Sequence, residues 1–433
     1  MTKFKITGQS SLSGVVTVNG SKNAATPVLT SALLSGAPCT VHNVPRVEDV
    51  NRILELIASV GASFEWHGDH SVTIMAENVD PLKLDMATVR RLRSSVLFMG
   101  ALLGRCGVAR IPGPGGDQIG SRPLDAHLDS FRKLGVIVDY DGDIYSMRQA
   151  DRGDIELTLA EGSVTATENV ILASVTLDGR KTVLHCAAAD PSVQDLCWFL
   201  VARGARIKGI GTFTLVIDGV KTLQGSAGYS IMPDQVETGT FICLAAAARA
   251  ELTIKNVALP FMRLEMQKFE EVNVSLSTDH QRPSDNPNYD LCDINVHRST
   301  QLKAIRKLHN MPYPGFNPDL LQPFTVMLTQ ATGTSLVHDW MYEARQKYVE
   351  ELNKMGAQIF IADPHRILVK GPTNLYAAEI TSYDIRTGAS LFIAALIASG
   401  TSTIGPAYQI DRGYERLDER MRSLGALIER LDD

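Results

Sequence analysis

The feature of this sequence that most limits its fold is a pattern that recurs about every 70 residues. Five helical stretches end in a glycine, and these helix-ending glycines are Gly61, Gly135, Gly204, Gly356 and Gly425. Successive glycines are 74, 69, 152 and 69 residues apart, and a sixth helix ends near 271–273, inside the long interval, without its glycine. A fixed period of this length indicates a supersecondary unit that is repeated along the chain. We therefore expect six copies of one unit.

The first copy shows what each unit contains. An apolar helix over 23–34 is followed by a strand over 39–44, an amphipathic helix over 47–60, and two strands near 63–66 and 71–76. The first helix of each copy is apolar nearly all round, which predicts burial, whereas the second helix carries a charged face and should lie outside. The pattern predicts an α/β protein built from six βαβαββ units.

Six such units could form a solenoid, a six-bladed ring or two compact domains of three units each. The usual size of domains favours the third arrangement, with a boundary near 232–234. No stretch rich in serine or proline marks this boundary, so the crossing should be short. The least regular stretch, residues 277–300, holds Pro283, Pro287 and several asparagine and aspartate residues, and is predicted to be a long loop.

Charge and hydropathy exclude several classes of function. A net charge of −6 and a pI near 6.0 give no basic field of the kind that binds nucleic acids or anionic membranes, so any anion site must be local. No apolar run reaches the roughly 18 residues of a membrane-spanning helix, and the N-terminus lacks the apolar segment of a signal peptide. A cytoplasmic protein is therefore expected.

Cysteine and histidine spacing argues against a metal site. The six cysteines include no C-x-x-C pair, and the ten histidines show no spacing typical of metal ligands. We therefore expect buried free thiols, with neither a metal nor another cofactor.

Polar residues stand where the apolar helices begin, although a buried helix needs little polar chemistry. They are Lys22, Asn23, Arg93, Glu168, Asn169, Asp234, Asp319 and Arg386. Helix capping would explain the asparagines and the acidic residues. The cations Lys22, Arg93 and Arg386 instead oppose the positive end of the helix dipole. They predict a phosphate or carboxylate ligand that compensates their charge where the helix N-termini meet.

The stretch 111–127 combines an irregular backbone with charged side chains. Glycine and proline fill residues 112–116, which excludes a regular helix or strand, and Asp117 and Arg122 follow. An acid near an arginine on a mobile loop is typical of an active-site lid, although a surface Ω-loop would have the same composition. The equivalent loop of the last repeat carries Arg412, so both arginines could reach one anionic substrate between the domains. An ordinary helix start would also explain Arg412.

Six motifs, one in each repeat and in chain order, resemble the signatures of the enolpyruvyl transferase family, which includes UDP-N-acetylglucosamine enolpyruvyl transferase and 5-enolpyruvylshikimate-3-phosphate synthase. The motifs are G-S-K-N-A-A-T-P (20–27), P-G-G-D-Q-I-G-S-R-P-L-D-A-H-L (114–128), S-V-T-A-T-E-N (163–169), P-D-Q-V-E-T-G-T (233–240), P-Y-P-G-F-N-P-D (312–319) and I-D-R-G-Y-E-R (410–416). Several motifs in register along the chain are far more specific than any one of them.

The resemblance implies a two-domain inside-out α/β barrel with three βαβαββ units in each domain. Residues 22–231 would form one domain, and residues 1–21 with 232–433 the other, since the N-terminal strand completes the C-terminal domain in this family. The implied reaction transfers enolpyruvyl from phosphoenolpyruvate to the 3-hydroxyl of UDP-N-acetylglucosamine and releases phosphate, which is the committed step of peptidoglycan synthesis. The family also suggests a monomer that acts on these two small molecules.

Matching positions imply how phosphoenolpyruvate would be held. Its phosphate and carboxylate need cations that donate hydrogen bonds in fixed directions. The positions that match the family's clamp are Lys22, Arg122 and Arg412, with Arg93 and Arg386 alongside.

The same match implies the proton transfers. Asp319 matches the base that takes the proton of the sugar hydroxyl, and Asp117 matches the general acid that protonates the methylene carbon. Because an ordinary aspartic acid has a pKa of about 4, Asp117 would need burial or neighbouring charge, which lid closure would supply. The remaining matched positions are expected to contact substrate, and they are Asn23, Pro123, Asp125, His127, Ser163, Val164, Glu343 and Arg345.

The sequence also departs from the family pattern. Asp117 stands where most members carry the cysteine that fosfomycin alkylates, so insensitivity to fosfomycin is expected. Thr165 replaces a glycine beside the expected uridine diphosphate contacts, Ala344 an asparagine, Gln346 an apolar residue and Gln409 a histidine. These departures keep two alternatives open, namely an enolpyruvyl transferase with another acceptor, such as a uridine nucleotide in nucleoside-antibiotic synthesis, and an inactive paralogue that binds nucleotide-sugar.

Overall fold

The chain was studied as a computed structural model, which describes residues 2–116, 122–150, 153–299, 301–343 and 345–431. Asp117 and Ala344 lie outside the described residues. The described residues divide into two compact units, an N-terminal unit (20–116 and 122–232) and a C-terminal unit (2–19 and 233–431). No helix in these ranges is both long enough and apolar enough to cross a membrane.

Two strands precede the repeats, β1 (Lys3–Thr7) and β2 (Ser13–Thr17), and both belong to the C-terminal unit. The strands of the N-terminal unit are β3 (Cys39–His42), β4 (Ser63–His67), β5 (Ser71–Met75), β6 (Val108–Pro112), β7 (Val136–Tyr140), β8 (Ile144–Gln149), β9 (Ile155–Thr158), β10 (Lys181–His185), β11 (Arg206–Lys208), β12 (Thr214–Asp218) and β13 (Ser226–Ser230). Its α-helices are α1 (Lys22–Ser31), α2 (Glu48–Ser59), α3 (Met86–Val89), α4 (Leu97–Cys106), α5 (Asp125–Lys133), α6 (Val164–Ser174) and α7 (Pro191–Ala202).

The C-terminal unit repeats the same succession of elements. Its further strands are β14 (Glu251–Val257), β15 (Leu276–Pro283), β16 (Asp290–Val296), β17 (Lys307–His309), β18 (Gly333–His338), β19 (Gln358–Asp363), β20 (Arg366–Gly371), β21 (Glu379–Thr381), β22 (Thr401–Gly405) and β23 (Leu427–Leu431). Its α-helices are α8 (Gln235–Ala248), α9 (Arg263–Glu271), α10 (Leu321–Leu328), α11 (Lys347–Lys354), α12 (Ile385–Ile397), α13 (Tyr408–Asp411) and α14 (Leu417–Ser423).

Each unit contains three sheets within the described ranges. Their strand orders are β13-β3-β5-β4, β6-β8-β7 and β11-β12-β10-β9 in the N-terminal unit, and β15-β16-β14-β2, β17-β18-β20-β19 and β21-β22-β1-β23 in the C-terminal unit. Five of the six sheets join one parallel pair to antiparallel neighbours, as β3 does with β13 and β5. This recurrence is the structural counterpart of the 70-residue pattern. The N-terminal strand β1 lies between β22 and β23, so it completes a sheet of the C-terminal unit.

The apolar first helices lie at the centre of each unit, as predicted. Helices α1, α4 and α6 pack together in one unit, and α8, α10 and α12 in the other. Almost every residue of α8 and α12 is buried, because sheets and outer helices cover all sides of a helix that has no polar face. The outer helices α2 and α11 bury only one face. Helices inside and sheets outside give the inside-out α/β architecture.

Two expectations were wrong. Residues 277–300 were expected to form a long loop, but most of this stretch forms the antiparallel strands β15 and β16. Strand β15 is an edge strand with mostly exposed polar side chains, so it has no apolar alternation that a sequence pattern could detect. Buried thiols were expected throughout, but Cys186 is exposed and Cys106 only partly buried. Cys186 lies at a bend after β10, with a φ of 56°, outside the helices and strands that contain the other cysteines.

Candidate active site

Asp319 is held between two arginines in the C-terminal unit. Its Oδ1 accepts a hydrogen bond from Nη2 of Arg345 over 2.7 Å, and its Oδ2 lies 3.0 Å from Nη2 of Arg386. The side chain of Asp319 is 23% exposed, whereas those of Arg345 and Arg386 are only 4% and 5% exposed. The carboxylate is therefore the most accessible member of this cluster.

The turn that carries Asp319 is built by local hydrogen bonds. Asp319 lies in the 3-10 turn Pro318–Leu320, and its N–H donates to the side chain of Asn317 over 2.9 Å. The N–H of Asn317 donates in turn to the largely buried Glu265 over 2.9 Å, and burial raises the pKa of this carboxyl group. Arg345 also donates to the carbonyl of Pro318 over 3.3 Å. The arginine therefore holds both the backbone and the side chain of the turn.

Arg386 stands at the start of a buried helix, where a cation opposes the helix dipole. It is the second residue of α12, and Asp384 caps this helix by accepting hydrogen bonds from the N–H groups of Arg386 and Thr387. Burial is the largest single effect and lowers the pKa of Arg386, but the charge of Asp319, together with Tyr414 and Asp234, raises it, and the net pKa lies above its ordinary value. The position of this cation in the sequence predicted a ligand as the source of the compensating negative charge. In the structure, the protein's own Asp319 provides part of it.

The other predicted residues of this unit lie on neighbouring segments. Arg412 follows α13, is 7% exposed, and donates from Nη1 to Oε1 of Gln409 over 2.9 Å. Gln409 is one of the departures from the family pattern, and its side chain therefore orients a residue of the predicted clamp. Glu343 is exposed, two positions before the buried Arg345.

In the N-terminal unit, Lys22 forms a salt bridge with Asp49. Lys22 is the first residue of α1, and its Nζ lies 3.0 Å from Oδ2 of Asp49 in the first turn of α2. Asp49 is 6% exposed. The sequence does not mark it as a site residue, because an acidic residue in the first turn of a helix ordinarily interacts with the helix dipole. Asn23, the next residue of α1, is exposed.

His127 is the centre of a second group in this unit. Its Nδ1 lies 2.9 Å from Nδ2 of Asn169, and its Nε2 lies 3.2 Å from Oγ1 of Thr165. Its side chain is almost fully buried, and burial together with the charge of Arg93 lowers the pKa of His127 to about 3. The imidazole is therefore neutral at physiological pH. The sequence marks Asn169 as a polar residue in a buried helix, but its role depends on contacts that the sequence does not reveal.

Several predicted residues surround this histidine. Nη2 of Arg93 donates to the carbonyl of Pro123 over 3.4 Å. Ser163 caps α6 by accepting a hydrogen bond from the N–H of Ala166, and Val164 is the first residue of this helix. The remaining predicted positions of the N-terminal unit are the partly buried Arg122, the exposed Asp125 at the start of α5, and Asp117, which lies outside the described residues.

The two groups can do different chemistry. A reachable carboxylate between two arginines can accept a proton from a hydroxyl group. The segments around Lys22, Arg93 and His127 offer cations and helix N-termini, which suit anionic ligands. Within the described residues, no group of three His, Cys, Asp or Glu side chains is placed to hold a metal ion.

Comparisons with known proteins cover the whole chain. The sequence profile of the family described as EPSP synthase (3-phosphoshikimate 1-carboxyvinyltransferase) matches residues 6–421. The UDP-N-acetylglucosamine 1-carboxyvinyltransferase of Bradyrhizobium diazoefficiens is 41% identical, with 100% of this chain and 98% of that protein covered. The protein of the same name from Treponema denticola is 38% identical, with 99% of each chain covered.

Solved structures share the fold. The enolpyruvyl transferase NikO from Streptomyces tendae superimposes with a TM-score of 0.85 at 23% identity, covering 99% of this chain and 98% of that one. EPSP synthase from Acinetobacter baumannii gives a TM-score of 0.75 at 20% identity, with 100% of both chains covered. At these sequence identities, the structural similarity supports the assignment of the fold and nothing further.

Proposed function

This chain belongs to the EPSP synthase family of carboxyvinyl transferases, and we propose that it transfers the enolpyruvyl group of phosphoenolpyruvate to the 3-hydroxyl of UDP-N-acetylglucosamine, releasing phosphate. The product would be the first committed intermediate of peptidoglycan synthesis. The observation that carries this proposal is the 41% identity to a UDP-N-acetylglucosamine 1-carboxyvinyltransferase over the full length of both chains.

The chemistry can be written as addition followed by elimination. A base removes the proton of the 3-hydroxyl while its oxygen attacks C2 of phosphoenolpyruvate, and an acid delivers a proton to C3. In the tetrahedral adduct, the bond from C2 to the phosphate oxygen then breaks and C3 loses a proton. The enol ether and inorganic phosphate are the two products.

The position of Asp319 supports its role as the base. Its carboxylate is partly exposed, while Arg345 and Arg386 hold it from the buried side. Two guanidinium groups stabilise the anion and limit its side-chain rotamers, so that it is oriented before the hydroxyl arrives. Asp117 would be the acid on the sequence evidence alone.

Phosphoenolpyruvate would be bound by Lys22, Arg122 and Arg412, with Arg93 and Arg386 alongside. The salt bridge between Lys22 and Asp49 supports a binding role for this lysine, because the carboxylate restrains a flexible ammonium group at a helix N-terminus. The orientation of Arg412 by Gln409 supports the same role for that arginine. Both cations would meet the substrate with little loss of side-chain entropy.

Most of the residues proposed to bind the nucleotide-sugar surround the N-termini of α5 and α6. In the N-terminal unit, Arg93 donates a hydrogen bond to the carbonyl of Pro123, and its charge contributes to the lowered pKa of His127. The remaining proposed contacts are Asn23, Asp125, Ser163, Val164, Glu343 and Arg345. A cytoplasmic monomer completes the proposal, because both substrates are products of cytoplasmic metabolism.

The decisive experiment measures phosphate release from phosphoenolpyruvate with three acceptors in parallel. UDP-N-acetylglucosamine should support turnover, and mass spectrometry should find the enolpyruvyl group on the sugar. UMP should not support turnover, and neither should shikimate 3-phosphate. Turnover with UMP alone would overturn the proposed acceptor, and the absence of turnover with all three would favour an inactive paralogue.

A further inference from the structure

Thr165 replaces a glycine of the family pattern, and its side chain is held by a buried network in the N-terminal unit. Thr165 is the second residue of α6 and Asn169 the sixth, so both side chains point to the same face one helical turn apart. His127 of α5 lies between them and contacts one with each ring nitrogen. The network therefore connects the added side chain to a residue of the proposed acceptor site.

The orientation of the Asn169 amide is determined by two main-chain partners. Its Oδ1 accepts a hydrogen bond from the N–H of Gly100 over 2.8 Å, and its Nδ2 donates to the carbonyl of Val96 over 3.1 Å. An N–H can only donate and a carbonyl can only accept, so the oxygen and nitrogen of this amide cannot be exchanged. Nδ2 therefore also donates to Nδ1 of His127.

This donor determines the tautomer of His127. Because Nδ1 accepts a hydrogen bond, it carries a lone pair, and a neutral imidazole must then carry its proton on Nε2. The buried ring is neutral, as its lowered pKa indicates. Nε2–H therefore donates to Oγ1 of Thr165 over 3.2 Å, and the threonine hydroxyl is the acceptor.

A hydroxyl that accepts from His127 must direct its own proton elsewhere. Threonines inside helices often donate to the carbonyl four residues earlier, as Thr30 does to Thr26 over 2.8 Å. Residue 161 lies before the start of α6, so Thr165 has no such helical partner. Among the described residues, the structure shows one hydrogen bond to Oγ1 of Thr165, and its partner is His127.

Thr165 lies in the accessible first turn of α6. Thr165 is partly exposed, as are the neighbouring Ser163 and Val164, which are proposed to contact the nucleotide-sugar. We propose that Thr165 is a specificity-determining residue that accepts a hydrogen bond from His127 and donates its hydroxyl proton to an anionic phosphate oxygen of the acceptor nucleotide. This inference rests on the proposed function, because it assigns a further contact to the same acceptor site.

The test compares Thr165→Val, which keeps the branched shape but removes the hydroxyl, with Thr165→Ser, which keeps the hydroxyl. A matched control is Thr158→Val, the same chemical change at an exposed position of β9. The readouts are kcat and KM for each substrate by phosphate release, and Kd for UDP-N-acetylglucosamine by calorimetry without phosphoenolpyruvate. Nitrogen NMR of His127 reports which ring nitrogen carries the proton.

Thr165→Val should raise KM and Kd for UDP-N-acetylglucosamine about tenfold, as the loss of one charge-assisted hydrogen bond predicts. The kcat and the KM for phosphoenolpyruvate should stay within about twofold of the wild type. The lost hydrogen bond holds the acceptor equally in the ground state and in the transition state, so its removal weakens acceptor binding without slowing the chemical step. Thr165→Ser should bind nearly as the wild type does, and Thr158→Val should be indistinguishable from it. The NMR spectrum should show Nε2 protonated in the wild type.

Three results would overturn the inference while leaving the proposed function intact. They are an active wild type whose Thr165→Val variant binds the acceptor equally well, an equal loss for both substrates in that variant, and an Nδ1-protonated His127. An inactive wild type would instead overturn the proposed function, and the inference would fall with it.

Discussion

Oδ1 of Asp319 accepts a hydrogen bond from Nη2 of Arg345 over 2.7 Å, with the arginine almost completely buried behind it. A buried guanidinium group needs a compensating charge, and Asp319 supplies it to Arg345 and to Arg386 as well. The same carboxylate is the proposed base. Stability and catalysis should therefore both depend on this one side chain.

Asp319→Asn should lower kcat at least about 100-fold, because the amide cannot accept the proton of the sugar hydroxyl. It should also lower the free energy of unfolding by about 3 kcal/mol, since two buried arginines lose one of their negatively charged partners. The matched control is Asp363→Asn, which removes the partly exposed partner of the exposed Arg366 in the same unit and should cost less than about 1 kcal/mol. Steady-state kinetics and denaturant unfolding measure both effects, and a fully active Asp319→Asn variant would exclude its role as the base.

The buried Asp195 should make stability fall as the pH rises. Burial raises the pKa of Asp195 to about 7, although Tyr229 and the N–H of Met232 donate hydrogen bonds to it. Between the ordinary pKa of an aspartic acid, about 4, and a pH near 7, the folded state keeps a proton that the unfolded state has lost. Stability from this group is therefore complete below pH 4 and is lost as the pH rises through 7.

Denaturant unfolding at several pH values tests this expectation. The free energy of unfolding of the wild type should fall more steeply from pH 4 to 8 than that of Asp195→Asn, by an amount on the order of 3 kcal/mol over the whole range. Other buried carboxyl groups contribute equally to both proteins, so the difference between the two curves isolates Asp195. Parallel curves would show that Asp195 ionises normally.

Gly100 is required where α4 and α6 touch. A Cβ at this position would lie 2.5 Å from the main-chain oxygen of Asn169 and 2.6 Å from its Oδ1. Gly100→Ala should therefore cost about 2 kcal/mol or more, because a helix backbone cannot move aside as a flexible side chain can. Gly153→Ala, at an open position, should be close to neutral, and thermal unfolding of the two variants would compare them. Equal melting temperatures would contradict the close helix contact.

The N-terminal strand should be essential to the C-terminal unit. Phe4 is fully buried in β1, and its ring lies 5.5 Å from that of Phe392 in the central helix α12. Phe4→Ala should cost about 3 to 5 kcal/mol, as is usual for a buried phenylalanine. Phe360→Ala removes the same side chain from an edge strand where it is 66% exposed, so it should have little effect. Chemical denaturation would distinguish them, and similar losses would contradict the central place of β1.

Asp117 should make the enzyme insensitive to fosfomycin, because alkylation needs a thiolate and a carboxylate is a much weaker nucleophile. Turnover should be unchanged after preincubation with the drug. Asp117→Cys should become sensitive, and Asp117→Asn should lose turnover because it cannot donate the proton. Mass spectrometry controls for modification of the exposed Cys186, which should not affect activity. Inhibition of the wild type with a covalent adduct on Asp117 would contradict this expectation.

The sequence predicts the structure correctly where the signal is local. The apolar helices follow a 3.6-residue period that needs no knowledge of distant residues, and the predicted helix over 23–34 corresponds to α1 and the 3-10 turn Ala32–Leu34. It failed for β15, whose exposed polar side chains carry no such period. The cations at helix starts were recognised as unusual, but the sequence could not show that Asp49 and Asp319 lie next to Lys22 and Arg386.

The sequence by itself determined the repeat, the burial of the first helices, the family and the candidate residues, because periodicity and motif spacing are properties of neighbours along the chain. Only the tertiary structure decided which charges meet and which way a hydrogen bond runs. Arg386 reaches Asp319, and Asn169 determines the tautomer of His127, because separate repeats fold back onto one another. Thr165 illustrates the difference. The sequence shows that threonine replaces the glycine of the family, whereas the folded structure shows that its hydroxyl oxygen accepts a hydrogen bond from His127.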